Sequence, residues 1–149
     1  MKKLLLLLLC VPLIGFGQNR YHLNEVTSPN DTLTYLKEDM SLVSGVVYYE
    51  SSDWREEDQE WLEKHRVNRW EETYSDGVWI LYRCWFVNGQ LSNESKKGPV
   101  LWTSREWYEN GQLRSYKLYD AKYMVNKNGW GPLIVGECWD EEGNEIDCE

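Results

Sequence analysis

A short segment of this chain occurs twice at a fixed offset, and this repeat constrains the fold more than any other feature. The residues WFVNGQL begin at Trp85, and the closely similar residues WYENGQL begin at Trp107. Asn-Gly between alternating apolar residues is a strong hairpin signal, because both residues accept the positive φ angles of a two-residue type I′ turn. The repeat therefore predicts two hairpins with turns at Asn88–Gly89 and Asn110–Gly111.

Further turn signals extend this pattern along the chain. In a third copy, Trp139 precedes Gly143 with the same spacing as in the first two copies, and the loop is expected at 142–144. Asp76–Gly77 marks another hairpin turn. A unit of strand, tight turn and strand cannot bury an apolar face alone, so successive units must stack. We therefore expect a mainly β fold, an antiparallel meander of stacked β-hairpins.

The segment WYENGQL, followed by a charged strand, resembles the bacterial MORN-repeat variant family. The resemblance extends over about residues 40–147 and is strongest over 100–118. It implies hairpins of about 22 residues that succeed one another in an antiparallel meander. Some relatives are labelled antitoxins, so the resemblance also implies an antitoxin or immunity-like role as one functional hypothesis.

The first repeat is interrupted by a segment with helical periodicity, SSDWREEDQEWLEKHRVNRW. Asp53 with Glu56 one helical turn later fits a capping box. Four residues share one face of such a helix: Trp54, Trp61, Leu62 and His65. The segment predicts one α-helix over 54–66, which would cover the apolar strand 78–87.

Residues 1–17 have the layout of a secretory signal peptide. Two lysines precede an apolar run, and Gly15 and Gly17 are small residues before a cleavage site, which predicts a mature chain that begins at Gln18. The apolar run 4–14 is too short to cross ~30 Å of hydrocarbon as an anchor. Lipid attachment at Cys10 is the alternative, although leucine rather than a small residue precedes it. We expect an exported protein, periplasmic or extracellular.

Cleavage leaves about one domain's worth of chain. Residues 18–36 are polar and predict an extended, flexible lead-in, and residues 37–149 predict a single repeat domain. Removal of residues 1–17 takes away two of the 16 basic side chains, so 14 basic and 25 acidic side chains remain, a net charge of −11. This charge repels nucleic acid phosphates and anionic lipid. We expect neither nucleic acid binding nor a membrane span.

The repeat predicts which of the three cysteines beyond the signal peptide can form a disulfide. Cys84 and Cys138 each precede a repeat tryptophan, so they should lie four strand spacings or ~19 Å apart, beyond the ~7 Å between Cα atoms that a disulfide allows. Cys148 can lie opposite Cys138 across the last hairpin, and an oxidising compartment favours that bond. The alternative is that all three remain thiols, with Cys84 as a small buried apolar residue.

No motif in the sequence indicates catalysis or a cofactor. The two histidines, His22 and His65, lie in different segments without the spacing of metal ligands. The acidic segment DEEGNEID lacks the residue order of a calcium-binding loop. We therefore expect a protein that is not an enzyme and holds neither metal nor cofactor.

The aromatic residues are the remaining functional candidates. The chain has nine Trp and ten Tyr, and such rings either fill the core of a thin sheet or anchor a partner. Strand 101–109 is half polar, which predicts an open face. Arg105 and Trp107 repeat a pair in the first copy and should serve the stack, whereas Trp102 and Tyr108 are the expected partner contacts. The favoured function is a protein-binding scaffold; the alternatives are a glycan- or peptidoglycan-binding module and the antitoxin-like role.

Overall fold

The fold is a long β-sheet that the computed structural model describes over residues 18–30, 32–54, 63–123 and 131–148. The strands of the described ranges are β1 Arg20–His22, β2 Val26–Thr27, β3 Tyr35–Leu36, β4 Gly45–Glu50, β5 Val67–Ser75, β6 Val78–Phe86, β7 Leu91–Lys97, β8 Leu101–Trp107, β9 Leu113–Asp120, β10 Leu133–Trp139 and β11 Glu145–Ile146. The large sheet has the order β1-β4-β5-β6-β7-β8-β9-β10-β11, and β2 pairs with β3 in a small sheet. From β4 onward each strand pairs antiparallel with the next. The mainly β meander of hairpins is confirmed.

Buried apolar side chains gather at the β4–β5 end of this sheet. One cluster contains Val26, Val43, Val47 and Tyr74. A second contains Val67, Trp70 and Cys84. Trp70 is 1% exposed, because a tyrosine ring stacks on it and a tilted tryptophan ring packs against it. The core therefore lies where the first strands meet.

The segment 18–36 belongs to the domain and is not a separate lead-in. Its strand β1 pairs in parallel with β4, and Val26 and Thr34 are buried. The Thr34 N–H also donates to the Gly77 carbonyl at 2.9 Å. The boundary expected after residue 36 is wrong, because these residues cover the apolar face of the first strands.

The helix predicted over 54–66 lies only partly within the described residues. Residues 55–62 are outside them, and residues 63–65 are helical. Arg66 has φ +53°, so the helix ends before it. Whether a helix covers strand 78–87 also depends on residues outside the described ranges.

A 3-10 helix over Ser51–Asp53 occupies the place expected for the start of that helix. The Glu50 N–H donates to Asp53 Oδ2 at 2.8 Å, so Asp53 belongs to this short turn. Trp54 is extended, with φ −84° and ψ 153°, and its ring lies 5.0 Å from that of Trp70. The expectation that the α-helix includes Trp54 is wrong, because this residue leaves the helical path to pack on the core. Further 3-10 helices span Leu23–Glu25 and Ala121–Tyr123.

The turn between β5 and β6 has the two-residue geometry. Asp76 and Gly77 have φ +49° and +74°, and they connect Ser75 directly to Val78. Positive φ at both central residues is the property of a type I′ turn.

The repeat turns are longer than predicted. In the first, the Phe86 N–H donates to the Gln90 carbonyl and the Gly89 N–H donates to the Phe86 carbonyl, both at 2.9 Å. Gly89 has φ +84°, whereas Asn88 does not have a positive φ. This three-residue loop fits a type I turn followed by a glycine bulge. The type I′ prediction at this turn and at Asn110 is wrong. In both loops the asparagine Oδ1 accepts the backbone N–H of the glutamine two residues further on, which stabilises the three-residue loop.

Candidate functional site

The repeat loops stack beside one another along one end of the sheet. Asn88 Nδ2 donates to the Glu109 carbonyl at 3.0 Å, and Asn110 Nδ2 donates to the Glu141 carbonyl at 3.1 Å. Each asparagine Oδ1 also accepts the N–H of the glutamine two positions further on, at 2.9 Å and 2.8 Å. We call this row of contacts the turn ladder. The asparagine recurs because it stabilises its own turn and binds the next one.

The glutamine of each copy lies over the glycine of the next loop. A Cβ added to Gly111 would stand 3.3 Å from Gln90 Oε1, and one added to Gly143 would stand 3.3 Å from Gln112 Nε2. At Gly89, none of the described residues has an atom within 4 Å of an added Cβ. The three glycines have φ angles of +84°, +88° and +87° along the chain. The positive φ therefore favours glycine in all three loops, and a side chain in the last two would also displace the glutamine above it.

One face of the sheet carries a row of charged side chains that joins β6, β7 and β8. Arg83 Nε donates to Glu94 Oε2 at 2.8 Å, and Arg105 Nη1 donates to Glu94 Oε1 at 3.2 Å. The Arg105 guanidinium also lies 5.3 Å from the centre of the Tyr116 ring. The repeated arginines thus share one carboxylate and hold neighbouring strands together, which is the role that their repetition predicts.

The opposite face of the sheet contains a groove of about 1290 Å³. A row of paired residues crosses its floor from β5 to β8, namely Glu72, Tyr82, Ser95 and Ser104. The two serines are each 4% exposed, and such small side chains leave space above the strands. Aromatic rings also line the groove, from Trp79, Tyr82, Phe86, Trp102, Trp107 and Tyr108.

The two aromatic residues expected to contact a partner both border this groove. Trp102 is 5% exposed, and its ring centre lies 4.9 Å from that of Trp79. The expectation that Trp102 stands on an open face is wrong, because Trp79 covers it. Tyr108 is half-buried, and its hydroxyl donates to the Trp139 carbonyl at 3.0 Å. Tyr108 therefore joins neighbouring hairpins while its ring faces the groove rim.

Glu72 and Glu106 are half-buried carboxylates that line the groove. Glu72 Oε2 accepts the Tyr74 hydroxyl at 2.6 Å, and Glu106 Oε2 accepts the Ser115 hydroxyl at 3.3 Å. Within the described ranges neither carboxylate forms an ion pair with a lysine or arginine. Among the described residues, the lysines and arginines that border the groove are all solvent-exposed: Lys64, Lys97 and Arg114. The groove interior is therefore acidic and its cations lie at the rim.

The charge of these carboxylates affects the phenols around them. Burial and then the negative charge of Glu72 raise the pKa values of Tyr49 and Tyr74. Burial and then the charge of Glu106 raise the pKa of Tyr119. The negative charge of each carboxylate thus acts on neighbouring phenols, in addition to the larger effect of burial.

The last hairpin is closed by a disulfide between Cys138 and Cys148, whose Cα atoms are 5.4 Å apart. This is the pairing that the sequence favours, but the register differs from the expected one. The loop is 141–143 rather than 142–144, so Cys138 lies opposite Ile146. The difference arises because the third loop starts two residues after its tryptophan, as the first loop does, and therefore lies one residue earlier than expected. Cys84 is a buried free thiol.

The turn ladder ends at this hairpin. Asn144 stands where the earlier copies have glutamine, and its Nδ2 donates to Asp140 Oδ2 of its own loop at 2.9 Å. Hydrogen bonds from the Asn144 side chain and backbone hold the pKa of Asp140 below its ordinary value. This loop therefore satisfies its polar groups internally.

The described ranges offer neither a metal site nor a helical membrane span. They contain no group of three or more His, Cys, Asp or Glu side chains that could hold a metal ion. They include no helix long and apolar enough to cross a membrane. His22 Nε2 lies 3.1 Å from Asp53 Oδ2 near β1, and His65 borders the groove.

The fold and the groove define a class of protein: a meander of stacked β-hairpins with an aromatic, acidic groove on one face. Comparison of the chain with protein-family models, with curated proteins and with solved structures finds no match.

Sequence reasoning missed most of the groove residues, including Glu72, Tyr82 and Glu106. Alternation along each strand does indicate which residues share a face. It does not indicate that Ser95 and Ser104 lie beside one another, since this depends on the register between β7 and β8.

Proposed function

We propose that this chain is an exported, non-catalytic repeat protein of the MORN-variant type that binds a protein partner in the groove. The groove itself carries the proposal, because a large concave surface with aromatic walls and a few polar groups is the usual form of a binding site. Aromatic side chains dominate the energy of most protein interfaces.

The contacts around the groove suit a rigid scaffold. The turn ladder holds the hairpin loops together at one end of the sheet. On the reverse face, Glu94 joins Arg83 and Arg105 across three strands. A surface fixed in this way loses little conformational entropy on binding, which favours affinity.

Two observations support export. Residues 1–17 have the composition of a signal peptide. The disulfide between Cys138 and Cys148 is of the kind that persists in oxidising compartments.

Two adjacent exposed lysines on β7 provide the test. Lys97 borders the groove, whereas Lys96 points to the other face because successive strand residues alternate. The same substitution, lysine to tryptophan, would obstruct the groove at Lys97 and leave it open at Lys96. The wild type and both variants would serve as bait in cell-envelope extracts, with quantitative mass spectrometry of the captured proteins.

We expect a captured protein to be lost with Lys97→Trp and retained with Lys96→Trp. Equal capture by all three baits would contradict a groove-bound partner. A polysaccharide array probed with the same three proteins tests the glycan alternative. If a polysaccharide binds the wild type and Lys96→Trp but not Lys97→Trp, the ligand of the groove is a glycan rather than a protein.

A further inference from the structure

We propose that the occupant of the groove is a basic, extended protein segment whose lysine or arginine side chains meet the carboxylates of Glu72 and Glu106. This inference rests on the proposed function and specifies the chemistry of its partner.

The charge distribution carries the inference. Glu72 and Glu106 are half-buried, and each accepts only a hydroxyl hydrogen bond from the described residues. A carboxylate that is partly removed from water is stabilised most by a cation that contacts it directly. The described residues supply no such cation to either group, so a partner can supply it. The excess of acidic residues over the whole chain would also steer a basic partner toward this surface.

The aromatic walls fit the same ligand. Cations are attracted to the faces of Trp and Tyr rings, and arginine makes this contact most often. The protein's own arginines do so elsewhere: the Arg69 guanidinium lies 4.1 Å from the centre of the Trp85 ring. Trp79 and Tyr82 line the groove beside the carboxylates and can receive arginine or lysine side chains in this way.

The size of the floor sets the length of the segment. Its row of paired residues runs from β5 to β8, which is three strand spacings or ~14 Å. An extended peptide advances ~3.3 Å per residue, so about four to five residues cross this row. A peptide of about twelve residues would therefore cover the floor and both rims.

The exposed cations at the rim oppose a basic occupant, and one of them provides a gain-of-affinity test. Lys97 borders the groove and is exposed, so its charge can be reversed with little effect on packing. Lys97→Glu should strengthen binding of a basic peptide about two- to fivefold, the usual effect of exposed charges. Lys96→Glu on the reverse face makes the same change in net charge and should leave the affinity unchanged.

The probe is a fluorescein-labelled peptide of about twelve residues in which arginine alternates with glycine and serine. Its affinity for the purified, disulfide-bonded protein is measured by fluorescence anisotropy. Two comparison peptides carry glutamine or glutamate in place of every arginine. We expect the arginine peptide alone to bind, with affinity that falls as salt is raised.

Removal of one groove carboxylate should lower the affinity for the arginine peptide. Glu106→Gln keeps the shape of the side chain and should weaken binding of the arginine peptide about tenfold, the effect expected for the loss of one charge-assisted hydrogen bond. Glu137→Gln is the matched control, because Glu137 is exposed and pairs with Tyr116, a neighbour of Arg105 on the reverse face. It should have no effect.

The outcomes separate this inference from the proposed function. No binding of the arginine peptide, or equal effects of the groove variants and their controls, would overturn the basic occupant. If the glutamine peptide binds as tightly and Lys97→Trp blocks it, the occupant is not basic but the groove still binds protein. If only a polysaccharide binds and Lys97→Trp blocks that binding, both proposals fail.

Discussion

Replacement of Gly111 by valine tests the turn ladder most directly. Gly111 has φ +88°, a conformation that L-residues rarely adopt and that β-branched residues adopt least. Its N–H donates to the Tyr108 carbonyl at 3.0 Å, so the loop cannot relax without loss of a hydrogen bond.

The structure separates two contributions to the expected loss. The backbone strain alone costs about 1–3 kcal/mol of the free energy of unfolding. A side chain at Gly111 also meets Gln90 Oε1, which lies 3.3 Å from the position of its Cβ. Displacement of this flexible side chain adds about 0.5 kcal/mol, since its own hydrogen bond to the Leu91 carbonyl is long at 3.4 Å. Gly89→Val is the matched control, because Gly89 has nearly the same φ and an added Cβ there has no atom of the described residues within 4 Å.

Urea unfolding of the wild type and both variants measures the two contributions. Both variants should lower the free energy of unfolding without a change in the slope against urea. The additional loss at Gly111 should disappear when Gln90 is also replaced by alanine. If neither valine variant lowers the free energy, the glycines are not held at positive φ and the repeat structure is refuted.

Three further perturbations have defined outcomes. Asn110→Asp keeps the acceptor within the loop but loses the donor to the Glu141 carbonyl, so it should lower the free energy of unfolding in urea by about 1 kcal/mol. Asn19→Asp makes the same charge change at an exposed site, and an equal decrease in this control would contradict a ladder contact. Trp102→Ala should lower the free energy of unfolding by about 3–5 kcal/mol, because the ring is buried against Trp79. A decrease below about 1 kcal/mol would instead indicate an exposed ring that is open to a partner. Burial raises the pKa values of three tyrosines, so these phenols should not affect stability below pH ~10, the ordinary phenol pKa, and should lower it as the pH rises further. The tyrosines are Tyr49, Tyr74 and Tyr82. Equal free energies of unfolding at pH 9 and 11 would show that these rings are not buried.

The repeat was sufficient to predict the architecture, because hairpin formation depends on residues close in sequence. Asn-Gly flanked by apolar residues determines where the chain reverses, and the constant spacing determines that successive hairpins pair. The type of turn was not predictable in the same way. Asn88 can adopt either turn, and the three-residue loop also places its side chain within 3.0 Å of the Glu109 carbonyl in the next hairpin.

The partner-facing surface was predicted least well, for a related reason. Alternation along strand 101–109 correctly separates Trp102 from Arg105, because side-chain direction has a period of two. Exposure of Trp102 depends on Trp79, which belongs to a different hairpin and reaches the same face only after β6 and β8 are aligned.

The sequence by itself therefore determined the hairpins, their order and the two arginines that hold adjacent strands, since these follow from local backbone preference and spacing. The tertiary structure alone decided that the segment 18–36 packs into the core and that the acidic floor of the groove comes from separate strands. Glu72 and Glu106 lie far apart along the chain, and no local interaction relates them. They line one groove because the strand register brings their side chains to the same face of the sheet.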